Sequence, residues 1–149
     1  MAETPDAQAR VIALKLSKVR VVRVTAALTE IDNGGWFAHA PCEFTYPVPA
    51  GCTRLAGVFG FLSGAYAESA SGTDGATFII EANTSGGGRE RLLERRLTPV
   101  ANPVDRGAIA FDVSLPAKTG TEVRFIIEAG ESTNRDWTYW GGLHFKKRP

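Results

Sequence analysis

Aromatic side chains next to turns are the residues of this sequence with the clearest capacity for chemistry. Trp36 follows the turn residues 32–35 and Tyr66 lies in a loop, so each is either a binding residue or a lid over the core. Trp140 and His144 share one face of the last predicted strand, and we expect both to be exposed. Exposed rings stack on the apolar faces of sugars, while neighbouring polar groups bond the hydroxyls.

Three residues at the start of the same strand have roles that the sequence leaves open. Asp136 is either a ligand contact or a partner of loop backbone amides. Alternation places Tyr139 on the face opposite Trp140, and the direction of Trp137 is undetermined. Large rings usually lie in the core, so Trp137 and Tyr139 are interpreted first as core residues and second as site residues. The predicted ligand-binding residues are Trp36, Tyr66, Asp136, Trp140 and His144.

Oxygen-bearing side chains in turns raise a calcium hypothesis. Asp32, Asn33 and Asp74 are the candidate metal ligands, together with Asp136, because calcium prefers carboxylate and carbonyl oxygens. Each could instead cap its own turn, and their spacing does not match an EF-hand. The sequence therefore requires no cofactor, and calcium is the ion to test.

Catalytic motifs are missing from the sequence. Only His39 and His144 could act as bases near neutral pH, and neither belongs to a recognisable nucleophile motif. Glu81, Glu94 and Glu128 fall on predicted polar strand faces, where contact with solvent explains them. We therefore predict a protein that is not an enzyme, and a glycoside-processing enzyme is the third interpretation.

Charge and hydropathy argue against two other classes of function. The chain has 17 basic and 16 acidic residues, so its balance does not favour nucleic acid or an anionic membrane surface. No apolar run approaches the roughly 20 residues that span a bilayer. The polar residues 1–6 show no signal-peptide pattern. We expect a soluble polypeptide with no membrane span, whose compartment the residues do not reveal.

The elements that must position the candidate residues are strands, because the apolar pattern repeats every second residue. Residues 108–115 alternate apolar and polar side chains, as in a strand with one buried face. Residues 55–62 and 76–82 are apolar on both phases and predict central strands, whereas the arginine-rich residues 90–97 predict an edge. A change of phase at Val21-Val22 predicts a β-bulge. The pattern favours an all-β antiparallel sandwich of about eight strands, like a jelly roll.

The length of 149 residues suits one domain. Residues 1–17 are expected to form an N-terminal arm or a first strand, and residues 18–149 a single β-sandwich. A predicted hairpin between residues 42–48 and 53–62 separates Cys42 from Cys52 by about 20 Å, which is too far for a disulfide. We therefore predict two free thiols.

Several short motifs follow one another between about residues 30 and 146. They are Ala40-Pro41, Phe44-Thr45-Tyr46-Pro47-Val48-Pro49, Leu55-Ala56-Gly57-Val58-Phe59-Gly60, Thr73-Asp74-Gly75-Ala76-Thr77-Phe78, Arg106-Gly107 and Asp136-Trp137-Thr138-Tyr139-Trp140. In this order they resemble the NPCBM (novel putative carbohydrate-binding module) domains, and more closely the related accessory domains of bacterial cell-envelope and polysaccharide-biosynthesis proteins. The resemblance implies a galactose-binding-like sandwich appended to a catalytic or membrane partner, in the periplasm or at the cell surface.

The sequence therefore predicts a non-catalytic module that recognises a glycan or polysaccharide through loops at one end of a sandwich. The alternative is a structural or protein-interaction domain that docks on a partner protein or assembles as a homo-oligomer. That alternative would use Trp140, His144 and the strands that are apolar on both faces.

Overall fold

The computed structural model describes residues 11–24, 28–31, 35–67, 72–84, 86–116, 120–132 and 135–147. These residues form eleven strands in two antiparallel sheets, which confirms the all-β sandwich. The strands are β1 (Val11–Ala13), β2 (Arg20–Val24), β3 (Thr29–Glu30), β4 (Trp36–Phe37), β5 (Cys42–Pro47), β6 (Cys52–Phe61), β7 (Ala76–Asn83), β8 (Arg89–Leu97), β9 (Ile109–Ser114), β10 (Glu122–Ala129) and β11 (Thr138–Lys147). The expected count of about eight is corrected to eleven, because β1, β3 and β4 are only two or three residues long and show no recognisable alternation.

The two sheets confirm several predictions of strand position. One sheet has the order β3-β4-β11-β6-β9, with β1 also paired to β11, and the other has the order β2-β5-β10-β7-β8. The apolar strands β6 and β7 are therefore interior, and the arginine-rich β8 is an edge strand. The predicted bulge is present as a register shift between Val21 and Arg23. No helix among the described residues is long and apolar enough to cross a membrane.

The predicted hairpin between β5 and β6 is wrong. These strands belong to different sheets, because residues 48–51 carry the chain from one side of the sandwich to the other. Cys42 and Cys52 are nevertheless both free, as predicted, and the structure shows that both are buried. Burial raises the pKa of the Cys42 thiol to about 12, so this sulfur stays protonated and unreactive at neutral pH.

The centre of the core is Trp140, which is 0% exposed. Its ring centroid lies 5.2 to 6.2 Å from the rings of Phe59, Phe78, Phe111 and Phe125, which come from both sheets. Trp36 is also buried, at 1% exposure, and lies opposite Trp140 in the pairing of β4 with β11. The expectation that Trp140 is exposed is therefore wrong, and Trp36 is a core residue.

A bulge in β11 explains why simple alternation assigned the wrong face to Trp140. The register with β6 shifts between Gly141 and His144, and Gly142 has a φ of 55°, in the left-handed region that glycine adopts at little cost. The extra residue lets Trp140 and Leu143 both point into the core, where strict alternation would separate them. Tyr139 consequently lies on the outer face of the six-stranded sheet.

Candidate functional site

Four connections meet at one end of the sandwich, where β6 ends and β7, β9 and β11 begin. We call this the loop end; its described residues are 38–41, 62–67, 72–75, 98–108, 130–132 and 135–137. Backbone hydrogen bonds join these loops, since Ala40 N donates to Asp136 O at 3.4 Å and Leu62 N donates to Trp137 O at 2.8 Å. The loop end is therefore one connected surface supported by both sheets.

Half-buried aromatic rings gather at the loop end, and we call them the aromatic cluster: Phe37, Tyr66, Trp137 and Tyr139. Tyr139 lies opposite Phe37 on β4 and opposite Gly60 on β6. Its hydroxyl is 3.4 Å from the point where a Cβ of residue 60 would stand, so the phenol extends across the bare glycine. Burial raises the pKa of Tyr139, and the neighbouring Tyr66 raises it further.

The ring of Trp137 has a fixed position because it lies against Gly64. A Cβ at residue 64 would stand 2.7 Å from Cζ3 of the indole, so only glycine allows this approach. On the indole, the guanidinium carbon of Arg135 lies 5.4 Å from the ring centroid, and Arg135 Nη1 donates to Gly64 O at 3.2 Å. A cation over an exposed ring contributes about 0.5 to 1 kcal/mol, which helps to hold the indole in place.

Tyr66 is held in a similar way by Arg106. The guanidinium carbon of Arg106 lies 5.2 Å from the phenol centroid. Arg106 Nε donates to Pro99 O at 2.7 Å, and its Nη2 donates to Val100 O at 3.2 Å. The arginine is therefore fixed by the loop between β8 and β9 and presents its charge beside the ring.

Asp136 lies beneath this surface and is fully buried. Its Oδ1 accepts a hydrogen bond from the Thr73 hydroxyl at 2.5 Å, and that hydroxyl accepts one from Gly75 N at 3.0 Å. Burial raises the pKa of Asp136 to about 6; the Thr73 bond opposes this increase, and the nearby charge of Asp74 adds to it. Oδ2 has no hydrogen-bond partner among the described residues. Asp136 therefore joins two loops from below and presents no surface to a ligand, and its partner is a hydroxyl rather than the backbone amides that were considered.

The five predicted site residues do not lie together on one surface. Tyr66 and Asp136 are at the loop end, whereas Trp36 and Trp140 are core residues. His144 is half-buried on the outer face of the six-stranded sheet, about 15 Å along β11 from Tyr139. Its Nδ1 lies 2.7 Å from Gly142 O.

Sequence reasoning missed part of the aromatic cluster and both of its arginines. Phe37, Arg106 and Arg135 were not considered, and Trp137 and Tyr139 were interpreted first as core. The glycine pair in β11 was the available signal, because glycine inside a strand marks a bulge and a bulge reverses which side chains face outward.

Only one of the proposed metal ligands other than Asp136 can be described. Asp32 and Asn33 lie outside the described residues. Asp74 is exposed, and its Oδ2 accepts a hydrogen bond from Ser132 N at 3.1 Å. Within the described part of the chain, no three residues of the types His, Cys, Asp or Glu are grouped in a way that could hold a metal ion. Calcium binding stays a prediction.

Comparisons with known proteins identify the fold. No protein-family model matches the chain, and no curated protein matches it in sequence. Solved carbohydrate-binding modules do match in structure. One is the second CBM51 module with INT domains of Clostridium perfringens ZmpB, in complex with GlcNAc, with a TM-score of 0.56 and 15% identity over 87% of this chain and 27% of that one.

Two further CBM51 structures have a similar fold. The CBM51 module of Clostridium perfringens GH95 in complex with methyl-galactose has a TM-score of 0.54 and 10% identity over 86% of this chain and 87% of that one. The tandem CBM51 modules of the Streptococcus pneumoniae family 98 glycoside hydrolase Sp3GH98 have a TM-score of 0.53 and 20% identity over 93% of this chain and 44% of that one. The chain thus spans only about a quarter of the first structure but most of the single module. It has the jelly-roll sandwich fold of carbohydrate-binding modules.

Proposed function

We propose that this protein is a non-catalytic carbohydrate-binding module that binds a glycan at the aromatic cluster of the loop end. The observation that carries the proposal is the set of half-buried rings held in place there, with Tyr139 across Gly60 and Trp137 against Gly64. The fold shared with modules solved with GlcNAc and with methyl-galactose supports the same conclusion.

The cluster suits weak, specific contact with a sugar. A ring that is already fixed loses little side-chain entropy on binding, so more of the stacking energy contributes to affinity. Tyr139 also offers a hydroxyl, and Arg106 offers donors, for the hydrogen bonds that orient sugar hydroxyls. Rings on loops of a rigid sandwich are a common way to build such a surface.

The charges at the cluster favour binding over catalysis. A glycosidase needs two carboxyl groups on either side of the scissile bond, about 5 or about 6.5 to 9.5 Å apart. Asp136 is buried, and the charged groups that lie over the rings within the described residues are the guanidinium groups of Arg106 and Arg135. His39, one of the two candidate bases, has its Nδ1 2.7 Å from Ala40 O. No described residue beside these rings has the environment of a nucleophile.

The proposal is tested by a glycan-array screen followed by calorimetry on the best ligand, with Trp137→Ala and Tyr139→Ala as variants. Val11→Ala is the matched control, because Val11 is 53% exposed but pairs with Lys146 at the far end of β11. We expect folded Trp137→Ala and Tyr139→Ala proteins to lose binding and the control to keep it. A blank array with folded protein, or equal binding by all variants, would contradict the proposal.

The calcium hypothesis is tested in the same screen. Binding and melting temperature are measured with calcium and with a chelator. A structural ion would raise the melting temperature when calcium is present, since any ligand bound only by the folded state stabilises it. Equal melting temperatures would remove calcium from the proposal.

We further propose that the module is an accessory part of a larger extracytoplasmic protein. The support is its likeness to modules that belong to longer chains, including a family 98 glycoside hydrolase. Fractionation of the native host, with an antibody against the module, tests this. Recovery of the module only from the cytoplasm would contradict it.

A second candidate function, protein association, is favoured by the edge strand β2. Val21, Val22 and Val24 are 49%, 45% and 39% exposed, on a strand whose outer edge is unpaired among the described residues. Such an edge can accept a strand from another chain. Light scattering on the wild type and on Val22→Lys tests this: a dimer lost in the variant supports association, and a monomeric wild type excludes self-association.

A further inference from the structure

Arg106, which lies beside the aromatic cluster, differs from most described arginines of this protein in its charge partners. Pairs between two described residues give a carboxylate oxygen within 4.0 Å to Arg20, Arg23, Arg54, Arg89, Arg91, Arg95 and Arg124. Arg106 has no such partner among the described residues, and its hydrogen bonds go to the neutral carbonyls of Pro99 and Val100. A positive charge is thus held in place with no carboxylate partner in the described part of the chain.

The position of this charge is defined by its contacts. Arg106 is exposed, yet two of its nitrogens are bonded to the loop and its carbon lies 5.2 Å from the Tyr66 centroid. Nη1 makes no hydrogen bond to the described residues. The next residue, Gly107, places its carbonyl oxygen 2.5 Å from the point where a Cβ of Gly60 would stand, beneath the phenol of Tyr139. The guanidinium and the rings therefore belong to one surface.

Asp105 and Asp136, the described acids next in sequence to Arg106 and Trp137, are both buried rather than exposed at this surface. Asp105 is buried, with Oδ2 accepting from Thr98 N at 2.9 Å and Oδ1 lying 3.8 Å from the Arg95 guanidinium. Asp136 is buried under the loops, as described above. The inference uses Arg106 alone, whose guanidinium carbon lies 5.2 Å from the centroid of Tyr66.

We propose that the glycan bound at the aromatic cluster carries a carboxylate, as in a uronic acid or a sialic-acid type sugar, and that this carboxylate pairs with Arg106. The inference rests on the proposed function and specifies its ligand class. A guanidinium and a carboxylate carry opposite charges and form charge-assisted hydrogen bonds, which are roughly twice as strong as hydrogen bonds between neutral groups. The rings would stack on the apolar face of the sugar, and the adjacent guanidinium would bind its carboxylate.

The experiment measures affinity by calorimetry for two matched pairs of ligands. Trigalacturonic acid is compared with its methyl ester, and 3′-sialyllactose with lactose, so that each acid has a neutral counterpart of similar shape. We expect the acid of at least one pair to bind ten-fold or more tightly than its counterpart, and salt to weaken only the acid. The preferred pair distinguishes a uronic from a sialic acid.

Variants then assign the preference to Arg106. Arg106→Gln should abolish the difference between acid and neutral ligand, and Arg106→Lys should keep part of it because the charge remains without the planar fork. Arg54→Gln is the control, since Arg54 pairs with Asp112 on β9 near the far end of β6. Circular dichroism and melting temperature establish that the variants fold.

The outcomes separate this inference from the proposed function. Equal affinity for acid and neutral ligands, or an acid preference that survives Arg106→Gln, would overturn the inference. If neutral glycans alone bind, the inference fails and the proposed function stands. If no glycan of any kind binds to folded protein, both fail.

Discussion

The indole of Trp137 lies so close to Gly64 that a Cβ at residue 64 would stand 2.7 Å from its Cζ3 atom. The contact is between a loop glycine that follows β6 and a ring that precedes β11. Because the neighbour is a side chain on the surface rather than backbone, a methyl group at residue 64 would push the ring aside rather than unfold the protein. A substitution at Gly64 can therefore test whether the position of the Trp137 ring matters, without removal of the ring.

Gly64→Ala is expected to lower glycan affinity several-fold while changing the melting temperature little. The displaced indole would lose its alignment with the sugar, and even a shift of a few tenths of an ångström weakens stacking contacts. Gly86→Ala is the matched control, since a Cβ there meets nothing within 4 Å. Calorimetry on both variants checks the prediction, and unchanged affinity in Gly64→Ala would show that the ligand does not contact Trp137.

The stability of the protein is expected to fall as the pH rises from about 4 to about 6, because of Asp136. Its pKa is raised from 3.8 to about 6 by burial, with Asp74 adding to the shift and His39 and Arg96 opposing it. The folded carboxyl therefore binds its proton more tightly than the unfolded one. Its contribution is complete below pH 4 and is lost as the pH rises through about 6, a change of about 3 kcal/mol.

Asp136→Asn provides the comparison for this pH dependence, since the amide is neutral at every pH. The unfolding free energies of wild type and variant are measured by urea denaturation at pH 4.5, 5.5, 6.5 and 7.5. We expect their difference to change by about 2 to 3 kcal/mol across the series, in favour of the variant at high pH. A constant difference would mean that Asp136 is already ionised throughout.

Trp140→Ala is expected to destabilise the protein by about 3 to 5 kcal/mol, because it removes the ring at the centre of the core. Four phenylalanine rings with centroids within 6.2 Å would line the resulting cavity. His144→Ala on the outer face of the same strand is the control and should cost less than about 1 kcal/mol. Chemical denaturation measures both, and similar small losses would contradict the burial of Trp140.

The sequence was informative where a strand is long enough to show a period. The interior strands β6 and β7 and the bulge at Val21-Val22 were predicted from the apolar pattern, and the edge strand β8 from its arginines. The strands of two or three residues were missed because they carry too few side chains to alternate. The predicted face of Trp140 was wrong because the bulge after Gly141 puts Trp140 and Leu143 on the same face of β11, whereas strict alternation groups Trp140 with His144.

The candidate site was harder to predict for a different reason. Phe37, Tyr66, Arg106 and Trp137 come from four loops or strands far apart in the chain, and only the folded structure brings them together. Trp137 and Tyr139 are placed by close approach to Gly64 and Gly60, and a glycine has no side chain from which such a contact could be predicted. Composition could therefore predict that aromatic residues bind, but not which of them share a surface.

The last prediction concerns Glu43, whose carboxylate lies between two guanidinium groups on the five-stranded sheet. It contacts Arg124 and lies 3.3 Å from Arg23 Nε, and the side chains of Glu43 and Arg124 are 12% and 18% exposed. Replacing Glu43 by Ala would leave the charge of Arg124 largely buried without a partner. We expect a loss of about 3 kcal/mol in unfolding free energy, within the range found when one member of a buried pair is removed.

Asp112 is the matched control for Glu43, because it also lies between two cations, Arg54 and Lys146, but is 41% exposed. Hydrogen bonds from Lys146 and Arg54 lower the pKa of its carboxyl, so its small contribution is lost as the pH falls below 3.8. Asp112→Ala should cost less than about 1 kcal/mol at pH 7, since exposed pairs are screened by solvent. Urea denaturation of both variants at two salt concentrations distinguishes the pairs: salt should reduce the effect at Asp112 and leave the effect at Glu43 almost unchanged. Equal losses in the two variants would show that burial does not strengthen the Glu43 pair.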